Sequence, residues 1–367
     1  MLRVAYFSPV SDLKGGAETS LVDLLNNPSV EAVLIVPSLG DLSDVARDMG
    51  REAYAVPLGR VAKIRRPVRI GNVLPAMRDW FRAARTLRSI ARKNDFDIVH
   101  SNGLKAHFVA CLCRLLGGPP VVIHIHDIPL QRRERVLWRT LGMFADLVLI
   151  VSRPCWPSKG ELPSNVKVLF NGLDTSRLPI LSSEKREAIV VGFCGRLHPY
   201  KGVDHLIRWI AYVRDVGFDL RLVIRGEGAP EHAWYLKELL ELVASLNMSE
   251  LVTFEGKKHG LGSIYNGLDL VVVPSVVPDA LPRSILEAMG LGLLVAAFPS
   301  GGIVDQINHG TDGFLVEDQE QFLKVVDIVA NDPVASERIR SQARLKVKDK
   351  FTIEKMYADL RSYYDYL

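Results

Sequence analysis

The stretch VVGFCGRLHPYKGVD, residues 190–204, changes from an apolar run to a polar turn and then to a helical pattern. The apolar part, residues 189–193, has the composition of a buried β-strand, and the helical pattern covers residues 203–213. A buried strand, a short loop and a helix form the repeating unit of a parallel α/β sheet. The stretch therefore predicts such a unit, with Arg196 and Lys201 in the loop that follows the strand.

The same alternation of apolar runs and helical patterns continues in both directions over the 367 residues. Strands that are apolar on both faces are typical of parallel sheets covered by helices. This length and pattern predict an α/β protein with two Rossmann-like, doubly wound parallel-sheet domains, residues 1–175 and 176–350, which face a cleft. The predicted strands are residues 2–7, 32–36, 97–100, 121–125, 147–151, 166–169, 189–193, 220–224, 251–254, 268–273, 293–297 and 313–316.

The composition excludes several classes of protein. Hydrophobic residues make up 48% of the chain and charged residues 24%, which excludes a disordered protein, a collagen-like fibre and an integral membrane bundle. Four scattered cysteines, Cys111, Cys113, Cys155 and Cys194, predict neither a disulfide scaffold nor a zinc module. The first residues have the pattern of a strand and not of an export signal, so we expect a cytoplasmic protein.

The charge is distributed unevenly along the chain. Residues 1–180 carry a net charge of +9 and the remaining residues −5, which suggests that the two halves meet different partners. A nucleic-acid-binding protein would be more evenly basic, so no nucleic-acid partner is expected. The strongest concentration is residues 60–93, with eleven Lys and Arg against one acidic residue, Asp79.

This basic segment has two parts. Residues 75–93 have helical spacing, and we expect their apolar stripe to pack on the sheet while the arginines face water. In the upstream part, Pro67 and Gly71 predict an exposed loop and not a long helix. Clustered cations beside apolar residues attract anionic lipid. We therefore predict that the basic half binds the inner leaflet of the cell membrane, with Arg65, Arg66 and Arg69 as contacts to the membrane or to a substrate held there. The apolar stripe comprises Met77, Trp80, Phe81, Ala84, Leu87 and Ala91.

Two loops could bind phosphate. Gly15 and Gly16 lie between the first strand and a helix, where the main chain can approach an anion, although a plain tight turn is an equal alternative. The dinucleotide fingerprint G-x-G-x-x-G is absent from this loop. Arg196 and Lys201 can both reach a diphosphate and neutralise the charge that develops on a leaving group, and a solvated basic loop is the alternative.

Two carboxylates lie in the segment 274–289. Pro282 suits a first helical turn, so the helix is predicted to start near Leu281, with Asp279 before it and Glu287 about two turns in. Carboxylates held this far apart could accept hydrogen bonds from two sets of hydroxyls on one extended ligand. The alternative is an N-cap aspartate and an unrelated buried glutamate.

These segments occur together and in order, and the sequence resembles the retaining glycosyltransferase family 4, which has the GT-B fold. The resemblance extends over nearly the whole chain. Each motif is weak by itself, and the ensemble is specific. The motifs are residues 15–18 (GGAE), 97–101 (DIVHS), His126 in 122–127 (VIHIHD), 170–174 (FNGLD), 195–196 (GR), 201–202 (KG), 225–228 (RGEG), 274–275 (PS), 286–289 (LEAM), 301–302 (GG) and 312–316 (DGFLV).

The resemblance implies a role for each matching residue. Arg196 and Lys201 would bind the diphosphate of a nucleotide-sugar donor, Glu287 the ribose, and Asp279 the transferred sugar. His126 would contact the sugar near the reacting carbon. The resemblance also implies front-face attack with retention, no metal or other cofactor, no protein base, and a helix 351–367 that crosses back to the first domain. The remaining implied donor contacts are Gly15, Gly16, Gly195, Leu281 and Ile285.

The chain departs from the family pattern at two positions. Asp279 stands where glutamate is usual, which keeps the charge, shortens the reach and puts the sugar's identity in doubt. Arg225 stands where glycine is frequent, and we expect it to face solvent in preference to contacting phosphate.

The expected function is transfer of a hexosyl unit from a nucleoside-diphosphate sugar to a lipid-linked or polysaccharide acceptor in bacterial surface glycan biosynthesis. A nucleotide-sugar epimerase of the same architecture is an alternative, although it needs acids and bases beyond Asp279 and Glu287. A membrane-associated partner without catalysis is another, and the retained Arg196, Lys201 and Glu287 argue against it. The missing fingerprint argues against a nicotinamide dehydrogenase.

Overall fold

The protein is described by a computed structural model that covers residues 1–13, 15–63, 70–158, 160–182 and 188–367. It divides into two compact units: the first comprises residues 1–172 and 353–367, and the second comprises residues 173–352. The sequence placed the first boundary at 175/176 and the start of the C-terminal segment at 351.

The first unit is a parallel sheet with helices on its faces. Apolar β-branched runs form its strands, and amphipathic segments form its helices. The predicted strands are all present here, and Ala53–Ala55 is an additional short one that the sequence did not indicate. In chain order the elements are β1 Leu2–Phe7, α1 Gly16–Leu25, β2 Val30–Val36, α2 Asp41–Asp48, β3 Ala53–Ala55, α3 Ile70–Lys93, β4 Ile98–Asn102, α4 Leu104–Leu115, β5 Val121–Ile125, α5 Arg132–Phe144, β6 Leu147–Ile150 and β7 Val166–Val168.

The second unit repeats this plan, and its strands again coincide with the predicted ones. Its core contains the inward residues of the sheet and an aromatic group in which Trp209 contacts Phe298 and Phe322. The elements are β8 Ile189–Cys194, α6 Val203–Asp215, β9 Leu220–Arg225, α7 Ala233–Ser245, β10 Val252–Gly256, α8 Leu261–Tyr265, β11 Leu270–Val273, α9 Arg283–Gly290, β12 Leu294–Ala297, α10 Ile303–Gln306, β13 Phe314–Leu315, α11 Gln319–Asn331 and α12 Pro333–Lys350.

Both sheets are doubly wound. Among the described residues, the strand order is β3-β2-β1-β4-β5-β6-β7 in the first unit and β10-β9-β8-β11-β12-β13 in the second, with parallel pairing throughout. The order reverses between β1 and β4 and between β8 and β11. Ligands of such sheets bind at the carboxyl ends of the strands beside this reversal. In the second unit, that edge is formed by the loops after β8 and β11.

The C-terminal helix α13, Ile353–Tyr364, belongs to the first unit although the chain reaches it after the second. Ile353, Met356, Leu360 and Tyr364 recur at helical spacing and are buried against β1, α1 and β2. A hydrogen bond also attaches this helix to the sheet, since the hydroxyl of Tyr363 donates to the carbonyl of Val168 at 3.1 Å. The end of the chain is therefore an integral part of the first core.

Helix α3 differs from the prediction in two ways. It begins at Ile70, so Gly71 does not end it. Its predicted apolar stripe is wrong at Met77 and Phe81, which are 44% and 42% exposed. Small side chains and Leu87 form the buried face and allow close approach to α4, where Trp80 stacks on Phe108 with ring centroids 5.4 Å apart. The buried residues of this face are Ala76, Ala83, Ala84, Leu87 and Ala91.

Over the residues that the structure describes, none of the helices is both long enough and apolar enough to cross a bilayer.

Candidate functional site

Two loops of the second unit, after β8 and after β11, are joined at the reversal of strand order. The backbone N–H of Val276 donates to the carbonyl of Tyr200 at 3.0 Å. Gly202 closes the first loop with φ of +64°, and a Cβ there would lie 2.1 Å from the carbonyl oxygen of Pro274. Any larger residue would push the loops apart, which explains a glycine directly after Lys201.

Lys201 and Asp279 are brought together by this junction. The Nζ of Lys201 forms an ion pair and hydrogen bond with Oδ2 of Asp279, and both side chains are partly buried. The loop of Asp279 is held from the other side, because the N–H of Gly302 donates to the carbonyl of Asp279 at 2.7 Å. A cation and an anion from distant parts of the sequence therefore form one polar group at the edge of the sheet.

Arg196 lies in the same loop as Lys201 and is exposed. The preceding Gly195 is bonded to the neighbouring strand, since its N–H donates to the carbonyl of Arg225 at 2.9 Å. Gly226 has φ of +151°, and a Cβ there would lie 1.7 Å from the carbonyl oxygen of Gly195. The loops after β8 and β9 are thus in main-chain contact, which fixes the start of the loop that carries both cations.

Glu287 lies in α9, which begins at Arg283 with Pro282 as its N-cap, two residues beyond the predicted start. Its carboxylate accepts a 2.7 Å hydrogen bond from the hydroxyl of Tyr265, and Nε of Arg283 lies 3.6 Å from its other oxygen. Burial, together with the charge of Glu287, raises the pKa of Tyr265, so this phenol remains a donor. Glu287 is partly buried and is oriented by these two neighbours.

Leu281 and Ile285, which the resemblance also assigned to the donor, lie on either side of the start of α9. Leu281 is buried and Ile285 is completely buried. Their side chains are therefore part of the buried interior of the second unit.

The expectation that Arg225 faces solvent is wrong. Its side chain is only 10% exposed and pairs with Glu255, with Nε 3.1 Å from Oε2. It also donates to the carbonyls of Ile264 and Asn266 at 3.0 and 2.9 Å. Burial acts to raise the pKa of Glu255, but hydrogen bonds from Arg225 and Lys258 lower it overall. Arg225 therefore joins β9, β10 and the end of α8.

In the first unit, Gly15 and Gly16 lie where the loop after β1 enters α1. Gly15 is the N-cap and Gly16 the first helical residue. The carbonyl of Gly15 accepts hydrogen bonds from the backbone N–H and the hydroxyl of Thr19, both at 3.1 Å. The first N–H groups of a helix have no intrahelical acceptor, so this helix end can bind an anion.

His126 follows β5 at the carboxyl edge of the first sheet. It is partly exposed, its Nε2 is buried, and burial lowers the pKa of the ring to about 4. The ring lies beside that of His124, with centroids 4.2 Å apart. His126 is therefore a neutral imidazole at ordinary pH, able to contact a ligand without adding charge.

Two family models match the chain in succession. The model described as Glycosyltransferase Family 4 matches residues 14–177, and the model described as Glycosyl transferases group 1 matches residues 188–332. The chain belongs to the group 1, family 4 glycosyltransferases. The matched ranges correspond to the two Rossmann-like units and include Gly16, Arg196, Lys201 and Glu287.

Curated relatives agree with this assignment. A galactosyltransferase of Escherichia coli, named UDP-Gal:alpha-D-GlcNAc-diphosphoundecaprenol alpha-1,3-galactosyltransferase, is 23% identical over 99% of this chain and 96% of its own. The D-inositol 3-phosphate glycosyltransferase of Actinosynnema mirum is 33% identical over 64% of each protein.

Solved structures show the fold. Anabaena HepE in complex with UDP and glucose superposes with a TM-score of 0.83 and 21% identity over all of both chains. Sucrose-phosphate synthase from Thermosynechococcus elongatus gives 0.79 and 16% identity over 100% of this chain and 98% of its own. The protein has the GT-B fold, with two Rossmann-like α/β domains, as the sequence predicted.

Three features of the second unit were missed in the sequence. Tyr265 lies in a different helix from Glu287, and no local pattern links them. The contact of Lys201 with Asp279 joins positions 78 residues apart. Arg283 could have been found, because a cation four residues before a glutamate on a helix is a recognised pairing.

Arg65, Arg66 and Arg69, the predicted membrane contacts, lie outside the described residues, and their role stays a prediction.

Proposed function

We propose that the protein is a retaining hexosyltransferase that uses a UDP-hexose donor and a lipid-linked acceptor, in the biosynthesis of a bacterial surface glycan. The observation that carries the proposal is the polar group at the edge of the second sheet, where Lys201 pairs with Asp279 in a family 4 glycosyltransferase. The name of the Escherichia coli relative, with its UDP-Gal donor and diphosphoundecaprenol acceptor, supports both substrates. Structures of Anabaena HepE that contain UDP support the nucleotide.

Arg196 and Lys201 would bind the two phosphates of the donor. As the bond between the sugar and UDP breaks, negative charge grows on the leaving phosphate, and fixed cations stabilise that charge without reorganisation. Asp279 would accept hydrogen bonds from hydroxyls of the hexose beside the phosphates. Since Lys201 and Asp279 already hold each other in place, little side-chain freedom is lost when a donor binds.

Glu287 would accept hydrogen bonds from the ribose hydroxyls. Tyr265 and Arg283 hold its carboxylate in one orientation, so that free lone pairs can point to a ligand. Gly195, Leu281 and Ile285 would contribute main-chain contacts, and the helix start at Gly15 and Gly16 would lie against phosphate oxygens.

The reaction would retain the anomeric configuration by attack on the face from which UDP leaves. The acceptor oxygen bonds to the anomeric carbon, the bond from that carbon to the phosphate oxygen breaks, and the acceptor proton moves to the departing phosphate. His126 would contact the hexose near the reacting carbon. This scheme needs no protein base, and we propose that it needs no metal or other cofactor.

The proposed reaction predicts transfer of hexose from UDP-galactose or UDP-glucose to synthetic GlcNAc-diphosphoundecaprenol. Release of UDP and mass spectrometry of the lipid report transfer, and NMR of the product reports the anomeric configuration. UDP-hexoses should also raise the melting temperature more than GDP-mannose does, because ligands that bind only the folded state stabilise it. An inverted product would contradict retention. Interconversion of hexoses without any acceptor would show an epimerase instead.

The proposed acceptor requires contact with a membrane, and the exposed side of α3 offers a suitable surface. Met77 and Phe81 lie there beside Arg78, Arg82 and Arg85, all of them exposed. Exposed apolar groups can enter the headgroup region while cations attract anionic lipid, at about 1 kcal/mol for each cation. We therefore propose peripheral association with the inner face of the membrane.

Replacing Arg78, Arg82 and Arg85 together by Gln should weaken binding to phosphatidylglycerol-containing vesicles about 100-fold at low salt, as three such contacts are lost. Vesicle co-sedimentation over a range of salt concentrations measures this. A control variant replaces two exposed cations of the second unit, Arg208 and Lys324, by Gln. This variant should bind the vesicles as the unmodified protein does. Unchanged binding by the triple variant would contradict this surface, and loss of binding in R65E/R66E would support the contribution predicted from the sequence.

A further inference from the structure

A row of buried aromatic side chains crosses the first sheet from the C-terminal helix to His126. The strand register pairs Tyr6 with His100 and Asn102 with His124, which places these side chains on one face. Ring centroids are 5.2 Å apart between His100 and His124, and the next step, from His124 to His126, is 4.2 Å. The three rings are thus in sequence, each against the next.

The far end of the row is fixed by hydrogen bonds. The hydroxyl of Tyr364 in α13 donates to the hydroxyl of Tyr6 at 3.3 Å, and it lies 2.5 Å from Nδ1 of His100. Whichever of the two atoms donates, this hydrogen bond fixes the position of Nδ1 of His100 relative to Tyr364. The hydroxyl of Tyr364 therefore sets the orientation of the first ring.

The next two rings, His124 and His126, lie in direct contact. Among the described residues, neither nitrogen of His124 nor Nε2 of His126 has a hydrogen-bond partner. Burial lowers the pKa of His100 to about 3 and that of His126 to about 4, and it also lowers the pKa of His124, so all three rings are neutral and no charge repulsion holds them apart. Because the rings are in contact and closely packed interiors transmit displacement, a shift of His100 would displace His124 and, through it, His126.

We propose that Tyr364 is a positioning residue for His126, acting through His100 and His124. The inference rests on the proposed contact of His126 with the transferred hexose. It gives the C-terminal helix a second purpose: besides filling the core of the first unit, α13 supplies the hydroxyl that aligns a ring at the site. Displacing a group that contacts the reacting centre lowers the rate more than it weakens ground-state binding.

Tyr364→Phe removes this hydroxyl and keeps the ring. With UDP-galactose and GlcNAc-diphosphoundecaprenol, we expect kcat to fall about 10-fold while KM for the donor changes less than about 2-fold. Tyr363→Phe is the matched control, because it removes a hydroxyl of the same helix whose hydrogen bond goes to the carbonyl of Val168; its kcat should remain within about 2-fold of the parent. In a His126→Ala background, Tyr364→Phe should have no further effect on kcat, since interacting residues are not additive.

Imidazole ¹⁵N NMR of the ligand-free protein provides a second readout that does not depend on transfer. The ring nitrogens of His100 and His126 should shift in Tyr364→Phe and stay at their original positions in Tyr363→Phe. Unshifted His126 signals in Tyr364→Phe would overturn the inference even if transfer fell. Full activity of His126→Ala would instead contradict the role proposed for His126, while shifted signals in Tyr364→Phe would still establish the coupling of the rings.

Discussion

Replacing Arg196 and Lys201 together by Ala is expected to lower kcat/KM for the UDP-hexose by at least about 1000-fold. Losing one preorganised group that stabilises transition-state charge costs about 2.7–4 kcal/mol. Because both cations would act on the same two phosphates, the second loss adds less than the first. UDP release at saturating acceptor measures the effect.

The fold should survive this change. Arg196 is exposed and Lys201 partly buried, and neither contributes to the apolar core of the second unit. A charge-matched control is R208A/K237A, which removes two exposed cations from α6 and α7 of the same unit. We expect the control to keep its activity and both variants to keep the circular-dichroism spectrum. Unaltered transfer by R196A/K201A would refute the assigned roles.

Asp312→Ala is expected to destabilise the protein by about 3–5 kcal/mol, the largest effect on stability that we predict. Asp312 and Lys346 form an ion pair at 2.9 Å whose side chains are only 4% and 9% exposed. The other carboxylate oxygen accepts the backbone N–H of Asn308 at 2.8 Å. Removing the carboxylate leaves a buried ammonium without its partner. Urea unfolding of the second unit measures the loss.

The free energy of unfolding of Asp312→Ala should depend on pH through Lys346. Burial already lowers the pKa of Lys346, although Asp312 opposes the shift. Without Asp312 the folded-state pKa falls further below the unfolded value of about 10.4, so the unfolded chain binds more protons between those two pKa values. Stability of Asp312→Ala should therefore rise as the pH is increased from neutral towards 10, relative to the parent protein.

Two control variants test whether the loss of stability comes from leaving a buried charge without its partner. Glu337→Ala breaks an exposed ion pair of the same helix, with Arg344 at 2.7 Å, and should cost at most about 1 kcal/mol. The double variant D312N/K346M removes both buried charges and keeps an acceptor for Asn308, so it should recover most of the stability. A loss from Asp312→Ala no larger than that from Glu337→Ala would contradict the importance of the buried pair.

Much of the candidate site could be found in the sequence because it lies in local patterns. Arg196 and Lys201 lie in a loop between an apolar strand and a helix. This local order places them at the carboxyl edge of a sheet, whatever the order of the other strands. The same holds for Gly15 and Gly16 after β1. The sequence therefore predicted the position of these loops, and the structure places them at the carboxyl edges of their sheets; their part in the chemistry stays a proposal.

Long-range packing could not be predicted in this way. The buried face of α3 is decided by its packing against α4. The alanines of α3 are buried, whereas Met77 and Phe81 are exposed. The burial of Arg225 depends on Glu255 and on two carbonyls at the end of α8. Periodicity predicts which residues of a helix or strand share a face. The neighbouring element decides which of those faces is buried.

By itself, the sequence determined the two doubly wound sheets and the loops at their carboxyl edges, because strand and helix periodicity and glycine geometry are local properties of the chain. Only the tertiary structure decided that Lys201 pairs with Asp279, that Tyr265 orients Glu287, and that Tyr364 reaches His100 across 264 residues. Hydrogen bonds and ion pairs act over a few ångströms in space, so their partners depend on how the whole chain folds and not on distance along it.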